Sequence, residues 1–272
     1  MTTMAKRPKI LIVNDDGIDA PGLKALREAV RELGDVLVCA PDSERSGAGC
    51  SLSLTDRVAV QDRRENGVVW GHAISGTPAD CVKFALTALG GYEPDLVLSG
   101  VNRGRNVGNF VWYSGTVAGA IEATLFGRRA MAVSLSIFKD DKRLLFDSAA
   151  RVAAALVPWL LEQPWTPRSF WNLNVPDVEH DEIRGIRMTH QGTQFFADAY
   201  VPESEDGDVR YYVNRGAGMQ NSPEPDDSDD RVLDQRCASL SLLSTDLTVP
   251  VPAAARGALE ARWNGLLRAS GA

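Results

Sequence analysis

An α/β fold built on a mostly parallel sheet is predicted by three observations. Short apolar runs recur at residues 10–13, 36–40, 95–98 and 130–136, segments with helical apolar spacing lie between them, and turn-forming residues follow most of the runs. A run that is apolar at successive positions suits a strand covered on both faces, as strands of a parallel sheet are.

Residues 10–13, Ile-Leu-Ile-Val, form the first strand and stop at Asn14-Asp15-Asp16-Gly17. In residues 22–33, Leu23, Leu26, Val30 and Leu33 share one helical face behind Pro21, a favoured first-turn residue. The run 36–40 ends at Pro41-Asp42. Within 52–73, Val58, Val60, Val68 and Trp70 alternate around Glu65-Asn66-Gly67, which predicts an inserted hairpin. Thr77 is placed to cap a helix that Pro78 opens, with Asp80 near its positive end. A third strand at 95–98 ends at Ser99-Gly100, and a helix at 117–126, a strand at 130–136 and a long amphipathic helix at 144–161 follow. Beyond Pro176 the expected pieces are strands at 195–201 and 209–213, a solvated acidic loop at 224–230 and a surface helix at 253–267. Little apolar material lies between those late strands. Residues 1–180 therefore read as the core, and 181–272 as an appendage that packs on it or on a neighbouring subunit.

Composition narrows the function. With 29 Lys+Arg against 36 Asp+Glu the net charge is −7, the wrong sign for gripping a nucleic acid duplex with the whole surface, although a small anion needs only a positive pocket. No apolar stretch approaches the ~20 residues of a membrane span, and the N-terminal segment has no cleavage pattern. Cys39, Cys50, Cys81 and Cys237 show no C-x-x-C spacing, so reduced thiols and a cytoplasmic location are expected. There is no G-x-S-x-G elbow, no Walker loop and no G-x-G-x-x-G after the first strand.

The chemistry gathers at strand ends. Asp15 and Asp16 are adjacent carboxylates that repel unless a cation neutralises them, and ligands of open α/β sheets bind beyond the carboxyl ends of the strands. An ordinary turn is the competing reading of that tetrapeptide. The second strand leads to Arg45 and Ser46, and the third to Asn102, Arg103 and Arg105. If the strands are neighbours, all three loops open on one edge. Asp15, Asp16, Ser46 and Asn102 then offer hard oxygen ligands to a divalent metal cation, Mg²⁺ or Mn²⁺ before zinc. Ser114-Gly115-Thr116 opens a helix of small residues, where free N–H groups suit a phosphate, though plain N-capping explains the segment equally well. The candidate catalytic residues are Asp15 and Asp16, and the candidate substrate contacts are Asn14, Arg45, Ser46, Asn102, Arg103, Ser114, Gly115 and Thr116.

Taken in order, Asn14-Asp15-Asp16-Gly17, Glu44-Arg45-Ser46-Gly47, Gly76-Thr77-Pro78-Ala79-Asp80, Ser99-Gly100-Val101-Asn102-Arg103-Gly104 and Ser114-Gly115-Thr116-Val117 resemble the SurE family of survival proteins. That resemblance implies a metal-dependent 5′/3′-nucleotidase acting on nucleoside monophosphates, with Asp15, Asp16, Ser46 and Asn102 at the family's metal-ligand positions. It also implies a Rossmann-like three-layer core, with a C-terminal β-hairpin and helix used to form a homodimer or homotetramer. The chain departs from the family at Ser239-Leu240-Ser241-Leu242-Leu243, at Ser244, where many members carry His, and at Asn109-Phe110. Two other readings are a receiver-type signalling domain, which would need a phosphorylatable Asp where Ser99-Gly100 stands, and a nonenzymatic nucleotide-binding module.

Overall fold

Apolar runs that must be covered on both faces need a sheet with helices on either side, and the computed structural model has that arrangement. It describes residues 7–137, 144–196, 199–215, 219–220 and 224–269. In chain order the elements are β1 (Lys9–Val13), α1 (Pro21–Val30), β2 (Asp35–Pro41), β3 (Val60–Glu65), β4 (Val68–Ile74), α2 (Pro78–Ala88), β5 (Leu96–Arg103), a 3₁₀ turn (Gly108–Trp112), α3 (Gly115–Leu125), β6 (Ala130–Ser136), α4 (Phe146–Glu162) and β7 (Ser169–Pro176). There follow β8 (Ile186–Thr189), β9 (Phe195–Phe196), β10 (Tyr200–Asp206), β11 (Val209–Asn214), β12 (Met219–Gln220), α5 (Arg231–Asp234), β13 (Ala238–Ser244) and α6 (Ala253–Ala269). Nine strands form one sheet in the order β3-β4-β2-β1-β5-β6-β7-β13-β8. Only β3–β4 and β7–β13 pair antiparallel within it.

The first strand shows how the layers are held. All four residues from Ile10 to Val13 are 0% exposed. Ile10 and Ile12 pack with Leu23 and Leu26 of α1 and Val157 of α4, whereas Leu11 and Val13 pack with Cys81 and Val82 of α2 and Val117 of α3. Strand alternation therefore divides one apolar run between two helical layers. Thr77 and Asp80 form a complete capping box at the start of α2, as the sequence predicts. Among the described residues no helix is long and apolar enough to cross a membrane.

The chain passes from β1 to β2 on one side and later returns to β5 on the other side of β1. That reversal opens a crevice beyond the carboxyl ends of β1 and β5, where open α/β sheets receive ligands. Asp15, Asp16 and Asn102 stand at those ends.

The late part of the chain differs from expectation in two ways. Residues 169–176, 186–189 and 238–244 are strands of the main sheet, so the sheet continues across residue 180. The apolar signal of β7 and β13 is halved because one face is polar and buried, and β8 is a short, exposed strand at the sheet edge. Leu173 and Val175 of β7 and Leu240 of β13 face α4, while Asn172, Asn174, Ser239 and Ser241 point to the opposite side and are buried there. The hairpin expected after Pro176 is β10–β11, whose strands, among the described residues, pair only with each other; residues 197–198 of the expected strand at 195–201 lie outside the described residues. Secondly, the acidic tract 224–230 is not wholly solvated. Ser228, Asp229 and Asp230 are 0%, 1% and 4% exposed, and the two aspartates answer hydrogen-bond donors of loops lying over the polar side of the sheet.

Candidate functional site

At the end of β1 the chain turns through Asn14, which is fully buried and closes the turn by donating from Nδ2 to the Gly17 carbonyl at 2.9 Å. The turn sets Asp15 under the first residues of α3. Thr116 donates its hydroxyl proton to Asp15 Oδ1, and a Cβ on Gly115 would lie only 2.8 Å from the Asp15 Cβ. Glycine is therefore the residue that lets the helix mouth reach the carboxylate. The β2 loop arrives from another side, where the Arg45 N–H donates to the Asp15 carbonyl at 2.7 Å. The end of β5 arrives from a third, where the Arg103 N–H donates to Asp16 Oδ2 at 3.3 Å. The three strand-end loops and the start of α3 thus meet around two adjacent carboxylates.

The other candidates take the following places. Asn102 donates from Nδ2 to the Gly104 carbonyl at 2.8 Å, which leaves its Oδ1 as an acceptor. Ser46 is exposed and donates to Glu44 Oε1 at 2.7 Å, so its hydroxyl is directed at a third acid. Ser114 is the N-cap of α3, with its Oγ accepting from the Val117 N–H at 3.1 Å while its own O–H stays available as a donor. The Thr116 hydroxyl, expected to be a donor to phosphate, is instead committed to Asp15. The Arg45 guanidinium reaches Asp42 at 3.4 Å. The Arg103 side chain makes no ion pair among the described residues. Arg105 is paired with Asp230.

Glu44 and the Thr116–Asp15 bond are the features that sequence reasoning missed. Glu44 stands two residues before Ser46, and its charge bears on both aspartates. The Thr116 contact joins residues 101 positions apart, and no local pattern announces it.

Electrostatics make the pair costly in the absence of a cation. Burial pushes the Asp15 carboxyl above its ordinary value, and the Thr116 hydroxyl, together with the Asp15 and Thr116 N–H groups, draws it back. Asp16 is pushed up to about 6, first by burial and then by the neighbouring Asp15 charge. No Lys or Arg ion-pairs with either carboxylate among the described residues, and Asn14 Oδ1 is buried there without a hydrogen-bond partner. Among the described residues no three His, Cys, Asp or Glu side chains are grouped to hold a metal. The donor set is therefore two carboxylates supplemented by neutral oxygens. Such a set fits a hard divalent cation that keeps open positions for water and substrate, as Mg²⁺ does.

The family model described as Survival protein SurE matches residues 10–198. The chain is 38% identical over 239 residues to 5′-nucleotidase SurE of Pelobacter propionicus, covering 88% of this chain and 94% of that protein. It is 40% identical over 242 residues to 5′/3′-nucleotidase SurE of Shigella dysenteriae serotype 1, covering 88% and 91% respectively. The crystal structure of the SurE protein from Aquifex aeolicus matches with a TM-score of 0.75 and 32% identity, over 89% of this chain and 95% of that one.

Proposed function

This chain belongs to the SurE family, and from that premise we propose that it is a metal-dependent phosphomonoesterase that hydrolyses nucleoside monophosphates to nucleoside and phosphate. The relatives named 5′-nucleotidase and 5′/3′-nucleotidase support the substrate class. The observation that carries the reading is the desolvated Asp15–Asp16 pair at the crevice between β1 and β5, with acceptor oxygens around it and, among the described residues, no Lys or Arg ion-paired with it, the Arg103 charge offsetting only part of the burial and repulsion at Asp16.

Asp15, Asp16, Ser46 and Asn102 are the residues that would hold the cation, Mg²⁺ or Mn²⁺. Bound there, the cation supplies Lewis-acid polarisation of a phosphoryl oxygen and makes a water more acidic. The chain's own residues do the rest. Asp15 is fixed from below by Thr116 and so holds its carboxylate in one orientation. Asp16 is the less buried of the two acids and accepts the hydrogen bond that orients the attacking water. The Arg103 guanidinium and the Ser114 O–H are the groups in reach of the loops that meet the phosphoryl oxygens, where charge accumulates as the ester bond breaks. Arg45, drawn toward Asp42, adds positive charge at the rim. A local arrangement of this kind serves an anionic substrate in a chain whose net charge is −7. All four cysteines are free, in keeping with a cytoplasmic location.

A screen of phosphate esters with Mn²⁺ tests the substrate class. Nucleoside 5′- and 3′-monophosphates are expected to release phosphate, and simple sugar phosphates at most slowly. Equal turnover of sugar phosphates and nucleotides would contradict the nucleotide assignment.

We also propose a homo-oligomer assembled through residues 190–250. The β10–β11 hairpin leaves Tyr200, Tyr211 and Tyr212 exposed and, among the described residues, adds to no other strand, so its apolar surface suits a second copy of the chain. Light scattering should give a mass at least twice the 29.4 kDa of the chain, and a monomer at micromolar concentration would count against the proposal.

A further inference from the structure

The loop between β5 and α3 flanks the carboxylate pair at both ends. It leaves the last residues of β5, Asn102 and Arg103, where the Arg103 N–H touches Asp16, and runs on through the 3₁₀ turn to the first residue of α3, Gly115, against Asp15. Its middle, residues 105–108, is gripped from two sides. From the sheet, Asn174 Oδ1 accepts from the Asn106 N–H at 2.7 Å, the Asn172 and Asn174 amides donate to the Asn106 carbonyl at 2.8 and 3.1 Å, and Asn106 Nδ2 donates to Ser134 at 2.9 Å. From the other side comes a segment more than 120 residues later in the chain. Asp229 accepts from the Gly108 N–H at 2.9 Å across a separation of 121 residues, and from the Gly192 N–H at 3.0 Å. Asp230 takes the Arg105 guanidinium and the Gln194 amide, and Leu233 packs with Val107 and Phe110 in a small apolar cluster of its own.

We infer that Asp229 and Asp230, backed by Leu233, form a latch that positions the β5–α3 loop, and with it Asn102 and Arg103, for turnover. The local geometry explains why carboxylates stand there. Gly108 has a φ of +52° and lies so close to residue 194 that a Cβ would be 2.8 Å from the Gln194 N, so no side chain of the loop itself enters the gap. Two N–H donors converge on that gap, and a single carboxylate answers both. The arrangement is costly: burial pushes the Asp229 carboxyl up to about 6 even though the Gly108 and Gly192 N–H groups draw it back. A purely apolar plug would avoid that cost but would leave both N–H groups and the Arg105 charge unanswered. The latch also accounts for Arg105, whose charge is spent on Asp230. Asp229 and Asp230 touch none of the proposed reacting atoms and are positioning residues.

The inference rests on the nucleotidase reading for its kinetic test and on the fold alone for its structural one. Asp229→Asn and Asp230→Asn are compared with Val30→Ala, a core truncation in α1 that lowers stability without touching the loop, all at a temperature well below their melting midpoints. The two latch variants should lose at least about tenfold in kcat with KM changed far less, and should need more Mn²⁺ for half-activation, because Asn102 drifts from its place. Val30→Ala should keep wild-type kcat. Hydrogen–deuterium exchange should rise in the peptide covering residues 104–110 in the latch variants and stay at the wild-type rate in residues 9–20. If either acidic variant fails to fold, Leu233→Ala loosens the latch from its apolar side and should give the same kinetic signature in smaller measure. Wild-type kcat and Mn²⁺ activation in folded latch variants would overturn the inference, as would unchanged exchange at 104–110. If the wild type turns over no nucleotide, the nucleotidase reading fails, and exchange at 104–110 then decides the latch by itself.

Discussion

Asp16→Asn should abolish phosphate release while the protein stays folded. The substitution keeps the shape and one acceptor oxygen but removes one of the two charges that make the site attractive to a divalent cation. That cation's stabilisation of the transition state is worth several kcal/mol, so turnover should fall at least about a thousandfold even in saturating Mn²⁺. Stability should move the other way. Because the Asp16 carboxyl is pushed up to about 6, the folded chain binds this proton more tightly than the unfolded chain does. The ionised group therefore costs stability in full above that value, and the cost is relieved as the pH falls toward the ordinary value of 3.8. In cation-free buffer the variant should melt above wild type at about pH 7.5, and the gap should close toward about pH 4. Paired melts and phosphate-release assays check both halves, and an active variant would remove Asp16 from the site.

Gly115→Ala is expected to be nearly as damaging by a different route. The added methyl would sit 2.8 Å from the Asp15 Cβ and 2.9 Å from its Oδ2. Helix α3 is seated tightly on the sheet one turn further on, where a Cβ on Gly119 would lie 2.7 Å from Ser99 Oγ and 2.9 Å from Val13 Cγ2, and lifting its mouth would strip that packing. Asp15 must therefore shift, and its bond with Thr116 must break or bend. A displacement of about 1 Å at a catalytic group costs roughly a hundredfold in rate, and overpacking adds about 1 to 3 kcal/mol of instability. Kinetics measured well below the melting midpoint, beside a Val30→Ala control that loses core packing in α1 away from the site, separate the two effects. Gly115→Ala with wild-type kcat/KM would mean that the mouth of α3 does not set the carboxylate.

How much of this was legible in the sequence depended on whether one residue carried its own signal. Ile10–Val13 announces a buried strand because every position is apolar, and Asp15-Asp16 announces a charged strand end because two acids stand where a turn needs only one. The crevice follows once the strands are ordered, and the ordering agrees with the expected parallel sheet. Strands β7 and β13 were not legible as strands because Asn172, Asn174, Ser239 and Ser241 are buried on a polar face and interrupt the apolar pattern, and β8 was not because it is a short, exposed strand at the sheet edge. The same polar face explains why Asp229 and Asp230 were misread. An acidic tract looks solvated unless one knows that Gly108, Gly192, Gln194 and Arg105 present donors to it, and those partners lie 36 to 125 residues away. Thr116 shows the same limit inside the site, since a segment that reads equally as a phosphate seat or an N-cap carries no sign that its hydroxyl bonds a carboxylate 101 residues earlier.

The account depends most on the claim that Asp15 and Asp16 form a cation site serving nucleotide hydrolysis. Phosphate release from a nucleoside 5′-monophosphate, measured on EDTA-dialysed protein as MnCl₂ is added back, tests it most directly. Background release without the cation, restored along a saturable curve, is the predicted result. Full turnover by the dialysed protein, unaltered by added Mn²⁺ or Mg²⁺, would contradict it.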